Sequence, residues 1–353
     1  MSVSNFLRSC LSTARRAKYA LFFGAITTVT GAAAQTVKEF YVDKTISMIV
    51  SSSPGGGYDT LARTVSRHLH RHVPGATSIF VRNMPGAGGL RAMNHLYSSA
   101  AQDGTVIGAV NNITPLQPLF DAQGAEFDAT KFNWLGTPSV ETGLLFVWHT
   151  SPFQTFQDVQ RRELTAGANG VVSTPALYSR LLNEVLGTKI KVILGYPGQN
   201  EAYLAIERGE IDAYGVTFWS SLTSTKRQWL DENKIRILLQ YGPVKEPSLK
   251  DVPYGPDLVK NEEDKVLFQT AYGPLSLGRP YLMPPNVPPD RVAAVQSAFM
   301  LTIGDREFQQ EATKLGLDVD NPRSGEDLRK EIEQLYRTPK HILERLRRIA
   351  TGK

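Results

Sequence analysis

The apolar positions change period along the chain in a regular way. "TISMIV" (Thr45 to Val50) alternates, with Ile46, Met48 and Val50 on one face, which predicts a strand. After "SSSPGGG", Leu61, Ala62, Val65 and Leu69 recur at helical spacing. "TSIFVRN" predicts a second strand. "MPGAGG" turns into a helix bearing Leu90, Met93, Leu96 and Tyr97, and "GTVIGAV" is a third strand. This β-α-β-α-β order implies a mostly parallel sheet joined by right-handed crossovers.

The same grammar restarts, with the change near Trp148–Pro152. "GLLFVWH" and "ELTAGA" predict strands, and "NGVVSTP" is a loop before a helix through Leu177, Leu181 and Val185. "KVILGY" is a strand, "PGQN" a turn, and a short helix through Tyr203 and Ile206 leads to the strand "GEIDAYGV". "SLTSTKRQWLDEN" reads as helical and "IRILLQY" as a strand. Beyond it the chain is irregular and proline-rich, then helical. Asp290 is expected to cap a helix through Val292, Val295 and Phe299, and Ser324, with Asp327 three residues on, to cap the next. These last helices have no strands of their own to cover, so they are expected to pack on the first unit. The resulting division is 35–149 plus 243–353 for lobe 1 and 150–242 for lobe 2.

At 353 residues the chain exceeds the usual single hydrophobic core, in keeping with two units. The formal charge of +5 changes meaning once it is located. Arg8, Arg15, Arg16 and Lys18 lie within residues 1–34, which hold no acid, and the remainder carries only +1. There is no electrostatic case for nucleic acid. The basic start, the apolar run "YALFFGAITTVTGAAA" and the small residues Ala32 and Ala34 read as a secretory signal peptide cleaved after Ala34. Cys10, the only cysteine, lies inside that leader. The mature chain would then have no disulfide, thiolate nucleophile or cysteine-based metal site.

"SSSPGGGYDTLAR" (Ser51 to Arg63) is the first candidate for chemistry. A loop that enters a helix offers unpaired N–H groups and the positive end of the helix dipole, a natural anion site. It is not a Walker loop, because Tyr58-Asp59-Thr60 stands where Gly-Lys-Ser/Thr is required. Nor is it a dinucleotide fingerprint, because the third glycine is missing. Its alternative is a tight turn with Asp59 as N-cap. "GANGVVSTPALY", "GYPGQNE" and "NNIT" are further turns at the carboxyl ends of strands, where open parallel sheets bind ligands. Ser173 and Thr174 can be simple helix caps or cleft donors. His68 and His72 share a helix face, a solvated pair or two metal ligands without a third. The hydrolase elbow, zinc-protease, paired-cysteine and EF-hand motifs are all missing.

Taken in order, the leader, "ISMIVSSSPGGGYDTLAR", "VRNMPGAGGLRAMNHLY", "DGTVIGAVNN", "LTAGANGVVSTPALYSRLLNEVLG", "KVILGYPGQNEAYLAIERGEIDAYGV", "PSLKDVPYGPDL" and "PPNVPPDRVAAVQSAF" resemble the periplasmic solute-binding proteins of tripartite tricarboxylate transporters, the Bug/TctC family. The resemblance covers nearly the whole mature chain. It implies an α/β, two-lobed periplasmic binding protein type II-like fold, each lobe a mostly parallel sheet flanked by helices, closing on a small carboxylate. Hinges are expected near Trp148–Thr150 and Tyr241–Pro243. By likeness the ligand site falls on Gly56, Gly57, Tyr58 and Asp59 in lobe 1 and on Ser173, Thr174, Tyr196 and Gly198 in lobe 2, with Asn111 and Thr217 as further candidates. "VVSTP", Tyr196-Pro197-Gly198 and "GVTFWSSL" depart from the family's usual pattern at the pocket.

The resemblance implies a periplasmic protein, a monomer with no cofactor, no metal and no catalytic residue. It would hand a small organic acid to membrane permease subunits. Two other readings stay open on the residues alone. One is an exported α/β enzyme acting on a carboxylate, with Asp59 and Asp212 as its acid–base candidates. The other is a ligand-binding partner of a signalling receptor.

Overall fold

Thr36 and Glu39 close a reciprocal capping box at the start of a short helix, α1 (Val37–Tyr41), which leads into the first strand. The computed structural model describes residues 35–120 and 124–352. The leader, with its expected cleavage at Ala34 and Cys10, lies outside the described residues. The chain divides into Met1–Gln35 and Thr36–Lys353, and every element below belongs to the second unit.

The first predicted series is present. β1 (Thr45–Val50), α2 (Gly57–Leu69), β2 (Ser78–Asn83), α3 (Leu90–Ser98) and β3 (Val106–Ala109) follow in turn, and β1 pairs in parallel with both β2 and β3. Ile46, Met48 and Val50 are fully buried, and Leu61, Ala62, Val65 and Leu69 of α2 lie in the same core cluster. Each of these side chains except Ala62 contributes about 1.5–3 kcal/mol by leaving water.

Next come β4 (Asn133–Thr137), β5 (Gly143–Trp148), α4 (Phe156–Arg161), β6 (Leu164–Ala168), α5 (Thr174–Leu186), β7 (Ile190–Leu194) and α6 (Gln199–Glu207). The series continues with β8 (Ala213–Tyr214), β9 (Thr217–Phe218), α7 (Trp219–Thr225), α8 (Arg227–Asp231) and β10 (Ile235–Tyr241). β6 pairs in parallel with β7 and β8, whereas β5 pairs antiparallel with β10 and β9.

The last third holds α9 (Gly255–Leu258), α10 (Glu262–Ser276), β11 (Tyr281–Met283), α11 (Pro289–Gly304), α12 (Arg306–Lys314), β12 (Arg323–Ser324), α13 (Gly325–Tyr336) and α14 (Lys340–Thr351). β11 and β12 add antiparallel to the first sheet, giving the order β12-β4-β11-β3-β1-β2 beside the three-stranded sheets β10-β5-β9 and β7-β6-β8.

Several particulars differ from the expectation. The chain leaves the first sheet between Thr137 and Gly143, ahead of Trp148, because β5 pairs with β10 along its whole length. α10 also packs its Leu267, Phe268 and Tyr272 into the cluster of α5, so the chain returns to the first sheet only between Ser276 and Tyr281. α13 lies against β4, but α14 lies against α5. Its Ile342, Leu346 and Ile349 share a core with Leu177, Leu181 and Leu182, since the exposed flank of α5 offers the apolar surface its own stripe needs. Ser324 and Asp327 form the expected capping box. Asp290 makes no cap: Pro288 is the N-cap and Pro289 starts α11, with Asp290 in the first turn beside the positive helix end.

Candidate functional site

The glycine stretch lies between β1 and α2. Gly56 is the N-cap and Gly57 the first helical residue, so Asp59 falls at the third helical position rather than at the cap. Its carboxylate reaches back, accepting from Gly55 N at 2.8 Å, Arg63 Nε at 2.9 Å and Asn83 Nδ2 at 2.8 Å. Asn83 in turn donates to Ser52 O and accepts from Arg63 Nη2. Burial pushes the Asp59 carboxyl up, but these hydrogen bonds outweigh it and hold the group below the usual range. Asp59 therefore braces the loop and does not face the cavity.

The neighbouring glycines have separate reasons. A Cβ on Gly56 would meet nothing within 4 Å, and Gly56 lines a cavity. A Cβ on Gly57 would stand 2.4 Å from Ser221 Oγ and 2.8 Å from both terminal nitrogens of Arg279. Gly56 leaves room for a ligand, and Gly57 leaves room for the protein.

Three helix N-termini meet at this cavity. Gly57 opens α2, Thr174 opens α5 and Gln199 opens α6, and all three line it. The first turn of each helix leaves N–H groups without intrahelical partners. Ser173 donates to Gly170 O at 2.8 Å, which pins the turn before α5. Gly198 is extended and close-packed, since a Cβ there would stand 1.9 Å from Ser53 Oγ. Asn200 Nδ2 donates to Pro54 O at 3.2 Å, and Gln117 Nε2 to Val172 O at 2.6 Å. The β1–α2 loop thus touches the α6 turn directly.

Tyr58, Tyr214, Val216 and Phe218 supply the apolar wall. Tyr58 Oη accepts from Asn112 N at 3.2 Å, which leaves its proton to donate. Tyr214 Oη donates to Asn169 Oδ1 at 2.6 Å. Burial pushes both phenols up, so they stay neutral beside an anion. A second cavity adjoins the first and shares Ser52, Asn111 and Asn169 with it. Tyr196 and the Gly86–Gly89 turn line it. No Asp, Glu, Lys, Arg or His lines either cavity among the described residues. Ser52 lines both cavities, and its Oγ is buried with no partner within the chain.

Of the predicted residues, Gly56, Gly57, Tyr58, Asn111, Ser173, Thr174 and Gly198 line the first cavity, and Tyr196 and Asn111 the second. Asp59 and Thr217 line neither. Thr217 is fixed in β9 and accepts from Tyr203 Oη at 3.2 Å. Ser52, Ser53, Asn169, Gln199 and Tyr214 went unsingled, although all but Tyr214 sit in turns whose sequence marked them. Asp212, the second acid–base candidate, accepts from Thr165 N and Oγ1 at 2.8 and 2.7 Å and ties β6 to β8. The two carboxylates an acid–base mechanism would use are thus engaged away from the cavity. His68 bonds Glu311 at 2.6 Å and His72 bonds Asp305 at 3.0 Å across α2 and α12. His68, Asp305 and Glu307 come close enough to share an ion, but the Arg71 guanidinium contacts all three.

A pair that gave no local signal completes the surroundings. Arg279 Nε donates to Glu141 Oε1 at 2.6 Å, with both side chains buried where the chain passes between sheets. Burial pushes the Glu141 carboxyl up against the pull of Arg279 and Ser220.

No family model matches the chain, and no curated protein matches it. Solved structures do. The periplasmic binding protein BugD is 18% identical, with a TM-score of 0.69, covering 87% of this chain and 98% of its own. MatC from Rhodopseudomonas palustris, with bound malate, is 18% identical at a TM-score of 0.67, over 87% of this chain and 98% of its own. Rpa4515 of R. palustris, with adipate, is 18% identical at 0.66, over 87% and 97%. With nearly the full length of each covered, this chain has the fold of the periplasmic binding proteins over 87% of its length.

Proposed function

We propose that this protein is an exported solute-binding protein. It captures a small organic carboxylate between two lobes and delivers it to the membrane subunits of a tripartite tricarboxylate-type transporter. The observation that carries this reading is the meeting of three helix N-termini on a cavity with no charged side chain in its wall. An anion there is held by amides, hydroxyls and helix dipoles, each charge-assisted bond contributing about 1.5–3 kcal/mol. The malate and adipate of the two R. palustris structures support the same ligand class.

In this reading the six-stranded sheet is one lobe and the two three-stranded sheets are the other. Residues 138–142 and 277–280 are the hinge. The Asn200–Pro54, Gln117–Val172 and Thr174–Asn112 contacts belong to the closed form and break on opening. The basic start, apolar run and small residues of 1–34 support export to the periplasm.

The test is thermal unfolding of the purified chain with malate, adipate and benzoate. A ligand at a hundred times its Kd stabilises by about 2.7 kcal/mol, so one acid should raise Tm by several degrees. A flat response to every acid counts against the reading.

A further inference from the structure

The wall behind the Gly57 turn contains a charge that the cavity itself lacks. Arg279 is 3% exposed and Glu141 1%. Glu141 takes the Nε edge of the guanidinium, and its Oε2 accepts from Ser220 Oγ at 2.6 Å. Arg279 Nη2 donates to Ser220 Oγ and Ser221 Oγ at 2.6 and 2.8 Å. The remaining nitrogen, Nη1, is buried and has no partner. That edge faces the first turn of α2, where a Cβ on Gly57 would lie 2.8 Å from it. The guanidinium carbon is 5.3 Å from the centroid of the Tyr58 ring. Gly57 and Tyr58 both line the cavity. The pair is therefore oriented, its carboxylate on the far edge and its unpaired N–H edge against the cavity wall.

A device that merely tied the two crossings together would use Nε and Nη2 and would gain nothing from a buried, unsatisfied Nη1, which costs stability. Behind a ring and a glycine, away from water and salt, the field of such a pair is screened little. We infer that Arg279 is a positioning residue for anion capture, its unpartnered edge backing the Gly57–Tyr58 turn and reinforcing the α2 N-terminus. The carboxylate feels the cation without touching it. It is drawn in, yet forms no salt bridge that would slow its release. This inference rests on the reading of the cavity as a carboxylate site.

Calorimetric titration of wild type, Glu141→Gln and the double variant R279M/E141M with malate, adipate and benzoate tests it. Glu141→Gln removes the counter-charge and keeps the shape, so the acid that binds wild type should bind at least threefold tighter. The double variant replaces the pair by apolar groups, a change that buried pairs commonly tolerate in folding, and should bind at least tenfold weaker. A structural staple gives the opposite pattern: Glu141→Gln weakens binding, or the double variant leaves it unchanged, and either result overturns the inference. Should Glu141→Gln fail to fold, the double variant decides alone. Wild type that binds none of the three acids overturns the carboxylate reading itself, and this inference with it.

Discussion

At the scale of single residues, adjacent glycines do different work. Gly56→Leu should fold with stability within about 1 kcal/mol of wild type, because its φ of −80° suits any residue and the space around it is open. Its side chain then fills the cavity, and acid-induced stabilisation in a thermal melt should vanish. Gly57→Ala has the opposite character. Its methyl group meets Ser221 and Arg279, so a destabilisation of about 1–3 kcal/mol is expected in urea unfolding. Asp59 carries a pH signature. Its folded-state pKa lies below the ordinary 3.8, so its stabilising effect is present above that value and lost as pH falls through the lower folded one. Asp59→Asn should flatten the acid limb of the stability profile while leaving ligand binding measurable at neutral pH. The likeness to a known family marked Asp59 as a ligand residue, while the residues alone offered it as an N-cap. What neither could say is which way the third helical position points. The Asp59–Arg63 spacing of four, a standard helix-surface pair, was the available clue to a brace. Arg279 and Glu141 stand 138 positions apart with no local pattern, and only the fold brings them together.

At the scale of elements, long periodic segments were legible and short ones were not. β1, α2, α5 and β10 follow from alternation or three-and-four spacing over six residues or more. β11 and β12, of three and two residues, exist because the returning chain finds an open edge on the sheet. β4 reads "NWLGT", with no alternation to see, since four of its five residues are buried on both faces. α14 announced itself as a helix, but its partner was not written in its own pattern. Ile342, Leu346 and Ile349 would fit any apolar groove, and the one they enter lies beside α5. Leu346→Ala should therefore cost about 2–5 kcal/mol in denaturant unfolding. Because α5 opens at Thr174 on the cavity, this variant should also weaken acid binding. An unchanged affinity would mean that α14 only covers the core.

At the scale of the whole molecule, the cavity is a place where three helix ends converge rather than a cluster of charged side chains. The turns that make it come from chain segments up to 150 residues apart, yet each was visible as a glycine- or serine-rich break after a strand. Their place at the carboxyl ends of strands pointed to a cleft and the likeness to a known family joined them into one site, but the second cavity, with its Gly86–Gly89 wall, was not anticipated. Side-chain charge sits behind the walls, in Arg279 and Glu141, and in the braces, Asp59 and Arg63. Such a site would suit the proposed reversible capture: neutral groups would hold an anion, and opening would return them to water.

The most direct test is calorimetric titration of wild type and Gly56→Leu, side by side, with malate, adipate and benzoate. One acid should bind wild type saturably at one site per chain and show no binding to the folded variant. Equal affinity in the two proteins, or no binding of any acid by wild type, would contradict it.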